Sequence, residues 1–216
     1  VNIPDFEPGR INTANQLGDS YAMPGGGPQV AMDTIHVNLG VPVDQYVRIN
    51  FEVFTSVVNT ITSDGIEICV KEVIHDDYYP DTGNGTITVH FDPGCQQMDA
   101  EELLQYARTR ATNGGDFDRN RRQQEVLKAV QAEVFNVGGV THFISQIPVL
   151  YEQLAGSYTT NLSLQEILQL AQLVGTIPEE NITFRTINNL HVNLATVEGP
   201  EGPQQVLMPV QDQIRF

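Results

Sequence analysis

An α/β layered domain is the fold class the sequence predicts. Short β-rich runs alternate with stretches of helical apolar spacing through most of the 216 residues. Hydrophobic residues make up 40% and charged ones 18%, which supports a packed core and argues against disorder. No internal repeat or low-complexity tract interrupts the pattern.

Residues 1–27 are rich in Gly, Pro and Asn and read as irregular. Pro28 follows Gly25-Gly26-Gly27 and opens a helix of about 12 residues, since Pro suits the first helical turn. Val30, Thr34, Ile35 and Val37 are its expected inner side and Gly40 its stop. Val43 to Phe51 alternates and reads as a strand. Phe51, Phe54, Val57 and Val58 have helical spacing and predict a short helix. Gly65 opens Ile66–Val70, expected as a strand buried on both faces. Residues 75–85 read as a turn-rich loop, 86–91 as a strand and 92–98 as a turn. Asp99 precedes Glu102 by three, a capping box that starts a helix to Arg108. Residues 111–115 break it. A longer helix follows from about Asp118 to Phe135, with Val126, Ala129, Val130 and Phe135 on one side. Gly138-Gly139 separates it from a helix over His142–Leu154. Ser163 and Glu166 repeat the capping box before another helix. Residues 182–187, 191–199 and 204–210 read as two or three late strands.

The formal charge is −16, from 27 acids and 11 bases. Such a chain is a poor general binder of nucleic acid or anionic lipid. A DNA-binding regulator is further disfavoured by the lack of a helix-turn-helix with basic recognition residues. No apolar run of about 18 residues provides a membrane-spanning helix. The first ten residues lack the charged and apolar regions of a signal peptide. The bases are clustered, however. Residues 108–122 hold five arginines against two aspartates, a net +3, which leaves −19 on the rest. A cationic spot on an anionic protein is where an anion is held.

Arg119, Arg122 and Gln123 lie at i, i+3 and i+4 and share one side of a helix. Arg121 points elsewhere, toward solvent. Arginines near a helix N-terminus oppose the dipole, yet free N–H groups there favour an anion. Several planar guanidinium groups can clamp a diphosphate in bidentate fashion. Arg108 and Arg110, two apart in an extended stretch, fall on one side and can join the same anion. The ordinary alternative is that all five arginines pair with surface acids such as Asp116, Asp118, Glu101 and Glu102. Spacing leaves both readings open.

Leu104-Gln-Tyr106-Ala-Arg108-Thr-Arg110, followed by Asp116-Phe-Asp-Arg119-Asn-Arg-Arg122-Gln123-Gln124, resembles the signature of the LytR-CpsA-Psr family. Collinear pieces elsewhere agree: Arg10-Ile-Asn-Thr-Ala14-Asn15, Gly26-Gly27-Pro28, Gly40-Val-Pro-Val-Asp44-Gln-Tyr46, Gly65-Ile-Glu-Ile, Thr160-Asn-Leu-Ser163 and Val206-Leu-Met-Pro209. The resemblance covers nearly the whole chain. It implies a three-layer α-β-α sandwich with a central mixed β-sheet, and one catalytic domain over residues 1–216. It implies a magnesium-dependent phosphotransferase at the outer face of the cell membrane. Such an enzyme moves a glycan from a polyprenyl diphosphate, with its sugar phosphate, onto peptidoglycan or a related wall polymer. Carried over by motif, Arg108, Arg110 and Arg119 are catalytic and, with Arg10 and Gln123, hold the diphosphate. Arg122 and Asp116 support them at the same substrate site. An apolar tunnel for the polyprenyl tail is also implied, lined by some of the aliphatic residues in 126–174.

One departure matters. The family carries its magnesium-binding aspartates and an Ile-Pro-Arg-Asp motif in strands that precede the segment matched by Val1 onward. Ile3-Pro4-Asp5 is not that motif. The chain is therefore expected to be an N-terminally incomplete domain, inactive alone, with the magnesium ligands and a membrane anchor outside it. The alternative is a non-catalytic module that binds polyprenyl diphosphate or envelope glycan.

Cys69 and Cys95 are the only cysteines. Counting leaves a disulfide and two buried thiols equally open. The extracytoplasmic setting implied by the resemblance favours the disulfide. The five histidines, at 36, 75, 90, 142 and 191, show no paired metal spacing, so no zinc site is expected. His75-Asp76-Asp77 with Asp81 reads as an acidic turn. Gly25-Gly26-Gly27 lacks the Lys-Ser/Thr of a phosphate-binding P-loop and reads as a loop. No Gly-x-Ser-x-Gly elbow occurs. Asn-x-Ser/Thr sites stand at Asn84, Asn161 and Asn181 and matter only if the host glycosylates them.

Overall fold

Gly27 is where two N-terminal helices meet. This is seen in a computed structural model that describes residues 1–81, 83, 85–136, 139–178, 181–183, 187, 190–199 and 202–210. A 3-10 turn over Ile11–Thr13 leads into α1 (Ala14–Ser20), which packs on α2 (Gly26–Leu39). A Cβ on Gly27 would lie 2.2 Å from the Asn15 carbonyl oxygen, so only glycine allows this approach. The segment expected to be irregular thus contains a helix. Its propensity is poor, and packing of Ala14 and Gly18 against α2 stabilises it instead. In α2, Met32 is buried and Val37 is 57% exposed, which reverses the expected inner side at those two positions. Gly40 ends the helix in the left-handed conformation, as its position suggested. The Gly27 N–H is taken by Asp19 Oδ1 at 2.8 Å, and Arg48 holds the other oxygen at 2.6 Å. Those bonds, the Gly27 one foremost, keep the Asp19 carboxyl below the usual carboxylate range. The helix N-terminus already has its anion.

These elements belong to one of two compact units. It comprises Val1–Arg48 with Ile187–Phe216, and the other comprises Ile49–Thr186. Ile3, Ala14 and Val30 form a small core in the first. There too, β7 (Val192–Gly199) and β8 (Gly202–Pro209) pair antiparallel, with Val192 opposite Pro209.

In the second unit, α3 (Phe51–Ile61) begins at Asn50, whose Oδ1 accepts the Val53 N–H at 3.0 Å. That cap explains why the strand expected over 43–51 shortens to β1 (Val47–Ile49). Four consecutive strands follow: β2 (Ile66–Val70), β3 (Ile74–Pro80), β4 (Thr86–Phe91) and β5 (Gly94–Met98). β3 pairs with β4, and β2 pairs with β5 around them, both antiparallel. The segments expected as a loop (75–85) and a turn (92–98) therefore supply β3 and β5. Their strand character comes from cross-strand partners rather than from local composition. β2 is not buried on both faces. Ile66, Ile68 and Val70 face the core while Glu67 and Cys69 are exposed, the alternation of an antiparallel strand with one wet face.

No ladder among the described residues has more than two strands. The expected central mixed sheet is thus not what these residues form, although the fold is a mixture of helix and strand. Strands joined without an intervening helix, as in β2–β5 and β7–β8, pair antiparallel, whereas a parallel pair needs a longer crossover.

α4 (Ala100–Arg108) carries both hydrogen bonds of the Asp99–Glu102 capping box. α5 (Asp116–Asn136) starts two residues earlier than expected. α6 (Gly139–Gln153) contains Pro148, the three-residue strand β6 (Tyr158–Thr160) follows, and α7 (Leu164–Gly175) has the Ser163–Glu166 capping box. The inner sides of β2–β5, α4 and α5 share one core that includes Ile68, Tyr79, Phe91, Leu103, Tyr106 and Val126. Gly138, Asn84 and half of the strand expected over 182–187 lie outside the described residues.

Candidate functional site

The end of α4, the turn over 109–115 and the first turns of α5 bring all five clustered arginines into defined positions. Arg108 is the last residue of α4, a favourable place for a cation on the helix dipole. Its guanidinium lies 4.0 Å from the Phe51 ring centroid and donates to Tyr79 Oη at 2.8 Å. Burial raises the Tyr79 phenol above its ordinary pKa although Arg108 pulls it down. The phenol stays neutral and accepts from the cation.

Thr109 ends the helix and is 2% exposed. Its hydroxyl donates to Asp76 Oδ2 at 2.6 Å and accepts from the Ala111 N–H at 3.2 Å. Its carbonyl accepts from Arg122 Nη2. Arg122 is 1% exposed. It also donates from Nε to the Tyr106 carbonyl at 2.9 Å and from Nη1 to Thr112 Oγ1 at 3.2 Å. Burial lowers its pKa, with Tyr106 and Asp118 acting against that. Arg122 is therefore a strut under the turn, and its partners are part of the protein.

Beyond that strut, Asp116 Oδ1 receives two guanidinium groups. Arg110 Nε lies 3.0 Å from it and Arg119 Nη1 2.8 Å. Arg110 and Asp116 are well exposed and Arg119 only 22% so. Two cations sharing one carboxylate oxygen leave this trio with a net positive charge open to solvent. Asp118 anchors the turn from the other side, accepting the Gly114 N–H at 2.9 Å and pairing with Arg121 at 3.2 Å. A hydrogen bond from Thr112, then the Gly114 N–H and the Arg121 charge, hold its carboxyl below the usual range. Both aspartates sit in the first turn of α5, where they offset the arginines against the dipole.

Several expected neighbours part company. Arg119, Arg122 and Gln123 adjoin on the helix, yet Arg122 is buried and Gln123 exposed. Arg108 turns to Phe51 and Tyr79 while Arg110 turns to Asp116. Arg10 is exposed in the first unit, before the 3-10 turn. Phe51, Asp76, Tyr79 and Thr109 were not anticipated. Only strand register places Asp76 and Tyr79 near α4, and no local motif reports it.

Cys69 and Cys95 stand opposite each other on β2 and β5 and form a disulfide. Among the described residues no group of three or more His, Cys, Asp or Glu side chains is placed to hold a metal ion. The residues present therefore do not fit the implied magnesium site. A cleft of about 560 Å³ is lined by Asn59, Asp64, Glu67, Gln97 and Glu133 among others, and by none of the arginines. It is not an apolar pocket with a cationic mouth.

Comparison with known proteins identifies the family of the chain. The LytR_cpsA_psr family model matches residues 1–213. Regulatory protein MsrR of Staphylococcus aureus (strain COL) is 28% identical over 187 residues, 87% of this chain and 51% of that protein. The polyisoprenyl-teichoic acid–peptidoglycan teichoic acid transferase TagU of Bacillus licheniformis is 30% identical over 154 residues, 71% and 44% respectively. The crystal structure of B. subtilis TagV matches with a TM-score of 0.68 at 24% identity, over 99% of this chain and 74% of that one, which shows a shared fold. The chain spans about half the length of the curated relatives it matches. It belongs to the LytR_cpsA_psr family.

Proposed function

We propose that the chain is the phosphate-gripping part of a phosphotransferase that acts on a polyprenyl-diphosphate-linked glycopolymer. The enzyme moves the glycan with its sugar phosphate onto peptidoglycan or a related wall acceptor at the outer face of the cell membrane. The observation that supports this most is the convergence of Arg110 and Arg119 on one carboxylate oxygen of Asp116. Two guanidinium groups already share an oxyanion in a solvent-open position. The relative TagU, whose name specifies a polyisoprenyl-linked donor and a peptidoglycan acceptor, points to the same chemistry.

In this reading the acceptor hydroxyl attacks the sugar-bearing phosphorus and gives up its proton to solvent, the bond from that phosphorus to the bridging oxygen breaks, and polyprenyl phosphate leaves. Charge gathers on the oxygen that bridges the two phosphorus atoms and on the non-bridging oxygens around it. Arg108, Arg110 and Arg119 stabilise it, and Arg10 and Gln123 add binding contacts. Asp116 and Arg122 position the arginines. In this reading residues 1–216 belong to one catalytic domain. In this reading the reaction uses magnesium, for which the described residues offer no ligand set.

The test incubates the protein with a lipid-diphosphate-linked oligosaccharide, peptidoglycan and Mg2+, and follows release of polyprenyl phosphate. Arg110→Ala should lower turnover by about 10²–10³-fold, the usual effect of losing one preorganised donor. Wild-type turnover in that variant would sink the site assignment. Retention of the lipid without any cleavage would favour a binding module over a transferase.

A further inference from the structure

The exposed face of β3–β4 carries two histidines that no functional reading has used. His75 and His90 are direct cross-strand partners, although 15 residues separate them in sequence. Their Nδ1 atoms lie 3.2 Å apart. His75 Nε2 lies 3.2 Å from Asp77 Oδ1, and His90 Nε2 lies 3.2 Å from Asp92 Oδ1. Thr88 Oγ1 donates to Asp77 Oδ1 at 3.0 Å and fixes that carboxylate. Both imidazoles are about half exposed, at 54% and 47% of the side chain.

An ionised carboxylate accepts hydrogen bonds and donates none. With Nε2 of each ring beside a carboxylate, the tautomer that protonates Nε2 leaves both Nδ1 atoms as acceptors facing each other. Two lone pairs at that distance repel unless a cation lies between them. We propose that His75 and His90 are a two-imidazole site for a divalent transition-metal ion of the zinc type. Zinc–nitrogen bonds of about 2.0–2.1 Å place two tetrahedral ligands about 3.3 Å apart, which matches the separation here. A histidine whose second nitrogen is held by a carboxylate is the usual arrangement of metal-bound imidazole. Asp77 and Asp92 supply it on both sides. Two protein ligands leave two positions for water, so the ion is exchangeable rather than structural. Imidazole nitrogen selects against magnesium, so this site is separate from the metal of the proposed transfer reaction. The separation of the two histidines in sequence is why spacing alone gave no sign of it.

The experiment titrates the untagged chain with zinc chloride against a chromophoric chelator, alongside His75→Ala, His90→Ala and Asp92→Asn. Imidazole NMR shifts are followed in the same samples. One ion per chain is expected, with Nδ1 of both histidines shifted by zinc. Either alanine variant should abolish uptake, and Asp92→Asn should weaken it about 10–100-fold. Uptake that survives both alanine variants equally would overturn the proposal. So would histidines that share only a proton, seen as titration of the pair with no zinc uptake. Unchanged dispersion of the remaining NMR signals would show that each variant stays folded.

Discussion

Arg122 commits its guanidinium to three partners inside the protein, two of them backbone carbonyls. Those carbonyls, on Tyr106 and Thr109, frame the chain that displays Arg108 and Arg110. Replacing Arg122 by Met fills similar volume but leaves both acceptors without a donor, each worth about 1–3 kcal/mol. Arg122→Met should therefore destabilise the fold by about 3 kcal/mol or more in a denaturant titration. A midpoint equal to that of the wild type would contradict the strut assignment. Helical spacing in the sequence marks Arg119, Arg122 and Gln123 as neighbours, and it cannot say which of them turns inward. Burial decides that, and burial depends on Tyr106 and Thr109 arriving from a different element. The Asp116–Arg119 pair was readable because it lies within one helical turn. The Arg108–Tyr79 bond was not, because a bulged strand separated by 29 residues provides the partner.

At the scale of elements, the legible features are those whose hydrogen bonds are local. Both capping boxes and the Gly40 stop depend on a few consecutive residues, and the residue types alone identify them. β3 and β5 depend on partners elsewhere, so their Asp, Pro, Gly and Gln content reads as turn. α1 is hidden for a related reason, since its small residues serve close packing on α2 rather than helix propensity. The capping of α4 bears directly on the site, because the helix delivers Arg108. Asp99 accepts the N–H groups of Glu101 and Glu102 at 2.9 and 2.8 Å, and Glu102 returns a bond to the Asp99 N–H. Asp99→Ala should cost about 1 kcal/mol of stability, measured by thermal or denaturant unfolding. A cost near zero would mean that packing of Leu103 and Tyr106 sets the start of the helix without the cap.

For the whole molecule, a charge of −16 makes the arginine cluster the exception in an otherwise anionic chain. The contrast draws an anionic headgroup toward one place and repels it from others, an effect that weakens as salt shortens the Debye length. The Cys69–Cys95 bridge acts on the same scale, because it closes the chain into a ring containing all of β3 and β4. A ring tolerates one cut. Proteolysis at any single bond between residues 69 and 95 would turn the protein into two polypeptides that still travel as one species. On a denaturing gel the nicked protein should run as one band without reductant and as two with it. Two bands before reductant is added would show that the sulfurs are not joined.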